Sequence, residues 1–145
     1  MSNIPFGQLA SRIDGELHAA STLRRLYATD ASEYQELPAG VVLPESEDDI
    51  REVIRFARRN QLGLIPRAAG TSLAGQCVGS GLVVDISKHF TEILSVDEEA
   101  RRVRVQPGVV RDDLNRSLAP HGMFFGPETS TANRAMIGGM VGNNS

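Results

Sequence analysis

Apolar residues recur at Phe6, Leu9, Ile13 and Leu17, the three- and four-residue spacing of one helix face, and predict an amphipathic helix over 5–19 interrupted only by Gly15. A polar stretch over 30–36 follows. Val41, Val42 and Leu43 then form a short apolar run closed by Pro44, as expected of a buried strand. The clearest helix starts at Ser46, whose hydroxyl can cap the first turn. Glu47, Asp48 and Asp49 place negative charge at its positive dipole end, and Arg58 and Arg59 lie at the other. Ile50, Val53, Ile54 and Ala57 line one face of it. The helix stops by Gly63, and Leu64, Ile65 and Pro66 resume a strand at a spacing that fits a βαβ crossover. The segment after Pro66 therefore leaves the C-terminal end of a parallel strand, where open α/β sheets gather ligands.

Further along, residues 82–86 (LVVDI) predict a strand, and 93–96 and 103–106 flank the polar turn Asp97, Glu98, Glu99, Ala100 as the arms of a hairpin. Val103 and Val105 alternate with Arg102 and Arg104, so one face of the second arm is solvated. Val110, Leu114 and Leu118 predict a helix over 110–119, with Asp112 and Asp113 in its first turn and Pro120 and Gly122 ending it. Residues 126–145 read as a loop rich in small residues. Their run IGGMVGNN promises close packing against something not supplied, so the domain is expected to be incomplete at its C-terminal end. The fold class is α+β with two lobes, a small βαβ lobe followed by a mixed or antiparallel one. An N-terminal helical segment, 1–25, precedes the main domain, 26–145.

Composition narrows the function classes. At 145 residues, 41% hydrophobic and 23% charged, the chain can bury one real core. A net charge of -3 gives no broad electropositive surface, which argues against nucleic acid as a partner. No apolar run approaches the roughly 20 residues that span a bilayer, and the N-terminus lacks the order of a signal peptide. A cytoplasmic home is expected. The single cysteine, Cys77, forms no internal disulfide and fits a small buried hydrophobe better than a reactive thiol.

The candidate chemistry lies in PRAAGTSLAGQ, residues 66–76. A pyrophosphate needs converging backbone N–H groups and side chains small enough to let its oxygens approach. Ala68, Ala69 and Gly70 are small, Thr71 and Ser72 add hydroxyls, Gly70 permits positive φ, and Arg67 can orient the loop or supply charge. A plain turn favours the same residues, so both readings stand on the loop alone. No G-x-x-x-x-G-K-[ST] and no G-x-G-x-x-G after a strand is present, so neither a P-loop nor a Rossmann fingerprint applies. His18, His89 and His121 lack ligand-spaced neighbours and read as surface or capping residues. Asp112 and Asp113 read as helix-start charges. Arg134 could reach a phosphate or a surface carboxylate.

PRAAGTSLAGQ, followed downstream by FGPETSTANRAMIGGMVGNNS, resembles the two flavin-binding segments of FAD-linked oxidases of the vanillyl-alcohol oxidase and p-cresol methylhydroxylase type. Within them it is most similar to the glycolate oxidase and D-lactate dehydrogenase branch, over residues 26–145. The resemblance implies a two-lobed FAD-binding domain of the p-cresol methylhydroxylase type. It implies that Arg67, Ala68, Ala69, Gly70, Thr71, Ser72 and Leu73 wrap the FAD pyrophosphate, with Gly75 and Gln76 closing the turn. Pro127, Glu128, Thr129, Ser130, Ile137, Gly138, Gly139 and Asn143 would line the cofactor from the other lobe, and Pro44 its adenine end. The common form has glycine where Ala68 and Ala69 stand. Thr71 occupies the place of a histidine that attaches FAD covalently in some relatives, so noncovalent FAD is implied. The implied activity is oxidation of a small 2-hydroxy acid such as D-lactate, glycolate or 2-hydroxyglutarate, with electrons passed to an acceptor that the sequence does not specify. Base and substrate clamp lie elsewhere in such enzymes, so no catalytic residue and no metal ligand is assigned here. Two alternatives stay open: a folded fragment without stable FAD binding or turnover, and an FAD-dependent reductase of the cell-wall precursor type.

Overall fold

The computed structural model describes residues 4–145, so the first three positions of the N-terminal segment lie outside the described residues. Two short helices, α1 (Phe6–Ala10) and α2 (Ser21–Leu26), flank the first strand, β1 (Glu16–His18). Then come β2 (Gly40–Leu43), α3 (Glu47–Arg59), β3 (Leu64–Arg67), β4 (Leu82–Asp85), the hairpin β5 (Ile93–Asp97) and β6 (Arg102–Val105), α4 (Arg111–Leu118), and α5 (Ile137–Gly142). The first four strands form one sheet in the order β1-β2-β4-β3, and β5-β6 stand apart as a two-stranded sheet. The α+β class and the two lobes are as expected.

In the first lobe β2 and β4 are buried along their whole length, which is why both read as unbroken apolar runs rather than alternating ones. One face of the sheet packs Val42, Leu82 and Val84 on Leu9 of α1, Ile13 just beyond that helix, and Val53 and Phe56 of α3. The other packs Val41, Leu43 and Val83 against Tyr27 and Ile65. The crossover spacing holds, since β2 and β3 are both parallel to β4. They are not neighbours, because β4 enters between them. Gly81 makes that entry possible: a Cβ there would lie 2.4 Å from the Gly63 carbonyl oxygen.

The helix predicted over 5–19 is corrected by the structure. It ends at Ala10, and Leu17 reaches the core from strand β1, which pairs antiparallel with β2. The cause is the buried Asp49 carboxylate. It accepts the Asp14 and Gly15 N–H groups at 3.0 and 2.9 Å, donors that a continuous helix would bond internally. Gly15 also lies so close to β2 that a Cβ would be 2.3 Å from the Leu43 carbonyl oxygen. His18 accordingly lies on a strand, against Glu16 at 3.0 Å, rather than on a solvated helix.

In the second lobe Val109, Leu114 and Leu118 gather Ile93, Val96, Val103, Val105, Phe125 and Ile137 into one core. Residues 126–145 are not all loop as expected. The Ile137 and Gly138 N–H groups bond the Val109 and Pro107 carbonyls at 2.9 and 2.7 Å, which anchors the start of α5 where propensity alone would not form a helix.

Candidate functional site

The loop after β3 is built to keep backbone donors free. Gly70 and Gly75 have φ of +64° and +72°, while Ala68 and Ala69 have ordinary negative φ. The two alanines that replace the family's glycines therefore bear no left-handed strain. Ser72 Oγ accepts the Ala74 and Gln76 N–H groups at 3.2 and 3.1 Å and donates to Gln76 Oε1, closing the turn on itself. Among the described residues, the N–H groups of Ala68, Ala69, Gly70, Thr71, Ser72 and Leu73 donate to no protein acceptor. Residues 67–72 are half-buried and Leu73 is 80% exposed at the rim. A half-buried run of small residues with unpaired donors is the chemistry of an anion cradle, and it fits the diphosphate of a dinucleotide.

Arg67 lies beneath this loop. Its guanidinium stacks on Tyr27, 5.3 Å from the ring centroid, and donates to the Thr29 carbonyl at 2.8 Å. A Cβ on Gly70 would meet it at 2.5 Å. Tyr27 in turn donates to the buried Asp85 at 2.6 Å. Burial, and the acceptor it bonds, hold the Tyr27 phenol protonated well above its usual range. Asp30 lies at the same end of the loop. Burial works to raise its carboxyl, but the Ser32 N–H and hydroxyl, with the Cys77 N–H, outweigh that and hold it below the usual range. Burial pushes the Cys77 thiol up, in line with an inert cysteine.

The second segment meets the first through α5. Gln76 Nε2 donates to Asn143 Oδ1 at 3.0 Å. A Cβ built on Gly139 would lie 3.7 Å from that of Ala68, so the glycine keeps this junction narrow. Gly138 faces the other way, where a Cβ would sit 2.6 Å from Pro107, and Ile137 packs in the second core. Pro127 and Glu128 are exposed and held by Arg111, which donates to the Pro127 carbonyl at 3.2 Å and lies 3.6 Å from the Glu128 carboxylate. Thr129 and Ser130 continue that turn toward α4, through the Thr129 carbonyl bonded by Ala132. The structure thus joins the 67–76 loop to Gly139 and Asn143. Pro44 is not brought to the same surface: it is fully buried, with its Cα against Gly15.

Sequence reasoning missed Tyr27, Asp30, Tyr34 and Arg111. Tyr34 lies over Gly75, where a Cβ would be 2.8 Å from its ring. None of the four sits in a motif, and each acts across a long sequence separation, so only the fold brings it to the site. His89 and His121, which have no ligand-spaced neighbours in the sequence, face Glu45 at 3.8 Å and Glu98 at 2.6 Å, again across non-local contacts. Among the described residues no cluster of His, Cys, Asp and Glu could hold a metal ion, and no helix is long and apolar enough to cross a membrane.

Residues 38–145 match the protein family described as FAD binding domain. The chain is 46% identical over 130 residues to D-2-hydroxyglutarate dehydrogenase of Pseudomonas putida, an alignment covering 88% of this chain and 13% of that protein. It is 35% identical over 124 residues to glycolate oxidase subunit GlcD of Bacillus subtilis, covering 84% and 26%. Among solved structures, alkyldihydroxyacetonephosphate synthase superposes with a TM-score of 0.84 at 18% identity, over 97% of this chain and 31% of that one. p-Cresol methylhydroxylase superposes at 0.75 and 14% identity, over 96% and 29%. At such identities the two structures establish the fold alone. The chain spans a small part of each protein it matches, and the resemblance read from its two segments is borne out.

Proposed function

The chain belongs to the FAD-binding domain family, and from that premise we propose that it holds FAD noncovalently as the cofactor-binding part of an oxidoreductase for a small 2-hydroxy acid. The observation that carries this reading is the meeting of the two segments: unpaired donors of residues 68–73 beside Gly139, closed by the Gln76–Asn143 bond. The N–H groups of Ala68, Ala69, Gly70, Thr71, Ser72 and Leu73 would bond the diphosphate oxygens. Arg67 lies beneath the loop, Gly75 and Gln76 close the turn, and Gly139 admits the cofactor from the second lobe. Pro127, Glu128, Thr129 and Ser130 would form a further wall, positioned by Arg111, while Ile137 and Gly138 set the pose of α5. Bound FAD would supply the two-electron acceptor for substrate oxidation. Thr71 stands where some relatives carry the histidine that attaches FAD, and an alcohol is a weak nucleophile unless activated, which suits noncovalent attachment. We take 26–145 as the FAD-binding domain and place the protein in the cytoplasm, where the single Cys77 is at home.

The substrate class rests on the relatives named D-2-hydroxyglutarate dehydrogenase and glycolate oxidase subunit. Titration of this chain with FAD, followed by quenching of flavin fluorescence, tests the cofactor: saturable 1:1 binding is expected, and no binding overturns it. Anaerobic bleaching of flavin absorbance by D-2-hydroxyglutarate, D-lactate or glycolate, in a protein of the relatives' length that carries this chain, tests the substrate. Flavin that binds there and is bleached by none of the three refutes the substrate class alone.

A further inference from the structure

The family match begins at residue 38, yet the cofactor loop is held by residues that precede it. Tyr27 is pinned to Asp85 at the end of β4, and its ring carries the Arg67 guanidinium. Arg67 Nη1 donates to the Thr29 carbonyl at 2.8 Å. Thr29 pairs with Gln35 across a short bridge. Inside that bridge Asp30 Oδ1 accepts from the Ser32 N–H at 2.8 Å and the Ser32 hydroxyl at 2.5 Å. Residues 27–35 therefore close on themselves as a strap. Its far side touches the loop again, with the Tyr34 ring in the space a side chain at residue 75 would need.

We propose that this strap is the positioning element of the FAD loop and that Arg67 is its strut rather than a ligand of the phosphates. The proposal rests on the FAD reading above. An arginine that clamps a phosphate keeps its planar fork of donors free for bidentate bonding. Here the group is packed in place: one face lies on Tyr27, Nη1 is spent on the Thr29 carbonyl, and Nη2 is lodged against Gly70, 2.5 Å from where a Cβ would stand. The guanidinium fills the hollow under the left-handed turn at Gly70. It fixes that turn without using any of the backbone donors the diphosphate needs. Asp85 and Tyr27 set the height of the platform on which it rests.

The test uses Arg67→Gln, Arg67→Lys, Tyr27→Leu and the Tyr27→Leu/Arg67→Gln pair in this chain, titrated with FAD at several KCl concentrations. A strut predicts about tenfold weaker binding for each single variant, the size of a stacked cation-π contact. It also predicts no rescue by lysine, a double variant no weaker than the weaker single one, and a salt dependence equal to that of the parent. A phosphate ligand predicts rescue by lysine, normal binding in Tyr27→Leu, and a flattened salt dependence in Arg67→Gln; that pattern overturns the proposal. Amide hydrogen exchange at Ala74, Gln76 and Val78, the loop amides that are bonded within the protein, gives a second measurement in the unliganded chain that needs no cofactor. Faster exchange in Tyr27→Leu and Arg67→Gln supports the strap, and unchanged exchange overturns it. Should the parent chain bind no FAD at all, the cofactor reading fails by itself, and the exchange result still decides whether the strap sets the loop.

Discussion

Replacing Asp49 with alanine removes a carboxylate that is 3% exposed and joins three parts of the first lobe. Its oxygens accept the Asp14, Gly15 and Glu45 N–H groups at 3.0, 2.9 and 2.8 Å. Hydrogen bonds to a charged acceptor contribute about 1.5–3 kcal/mol each. Three do not add in full, because relaxation and water recover part of the loss, and breaking a buried charged network costs about 3–5 kcal/mol. We take about 4 kcal/mol, which for a chain of this size lowers Tm by roughly 8–16 °C. Asparagine keeps an oxygen for the Gly15 and Glu45 donors but turns its amide toward the Asp14 N–H, so Asp49→Asn falls between parent and alanine.

The pH dependence has a definite sign. Burial works to raise the Asp49 carboxyl, and the backbone donors of Glu45, Asp14, Gly15 and Ser46 outweigh it, so its pKa lies below the ordinary value. The unfolded chain then binds the proton first as pH falls, and the stabilisation, complete above about pH 4, is lost as pH drops through the folded value. Urea unfolding followed by far-ultraviolet circular dichroism at pH 7 and pH 3 measures both effects. The gap between parent and Asp49→Ala should be wide at pH 7 and narrower at pH 3. A gap under about 1 kcal/mol at pH 7, against the 3–5 expected, refutes the clamp, and an equal gap at both pH values refutes the charge-based account of it.

Gly70→Ala forces a Cβ into a φ of +64° and against the Arg67 guanidinium; the left-handed conformation alone costs about 1–2 kcal/mol, so FAD binding, read by flavin fluorescence, should weaken about tenfold or more. Gly138→Ala sets a Cβ 2.6 Å from Pro107 and 3.1 Å from its carbonyl oxygen, backbone that cannot step aside. Overpacking of that kind costs about 1–3 kcal/mol, visible as a lower urea midpoint. Cys77 should react with a thiol reagent more slowly than free cysteine at pH 7 to 8, since burial disfavours its thiolate; equal rates would contradict the burial.

The elements legible in the sequence are those whose cause is local. Helix α3 shows its Ser46 cap, its acidic first turn and its basic last turn in the chain itself, and the structure confirms the cap with a 3.1 Å bond from the Asp49 N–H. Strands β2 and β4 are legible because full burial makes them continuous apolar runs. The break in the first helix is not legible, because Ile13 and Leu17 satisfy a helical spacing and a strand entry equally well. What decides between them is Asp49, more than thirty residues away. Helix α5 is hidden for a similar reason: its glycines each cost about 1 kcal/mol in helix propensity, and its anchors on Pro107 and Val109 lie on a different segment. At the site, the small residues of the loop announce a cradle, while the orientation of Arg67 depends on Tyr27 and Thr29 and could only come from the fold.

That division has a physical basis in what a cradle requires. A loop that binds a diphosphate through its backbone must be rigid and must also leave its N–H groups unpaired, yet pairing those groups is the usual way a backbone becomes rigid. This loop meets both demands by taking its order from side chains. Ser72 Oγ gathers the Ala74 and Gln76 donors that lie beyond the cradle. The Gln76 amide reaches Asn143 in the second lobe, Tyr34 fills the hollow at Gly75, and Arg67 fills the one beneath Gly70. Backbone composition therefore records where the ligand would go, and it is visible in the sequence. The side chains that hold the loop still come from the strap, the loop itself and α5, and converge only in three dimensions. Substitutions at Tyr27 or Tyr34 should accordingly loosen the loop without touching its motif, and motif matching alone would score such variants as intact.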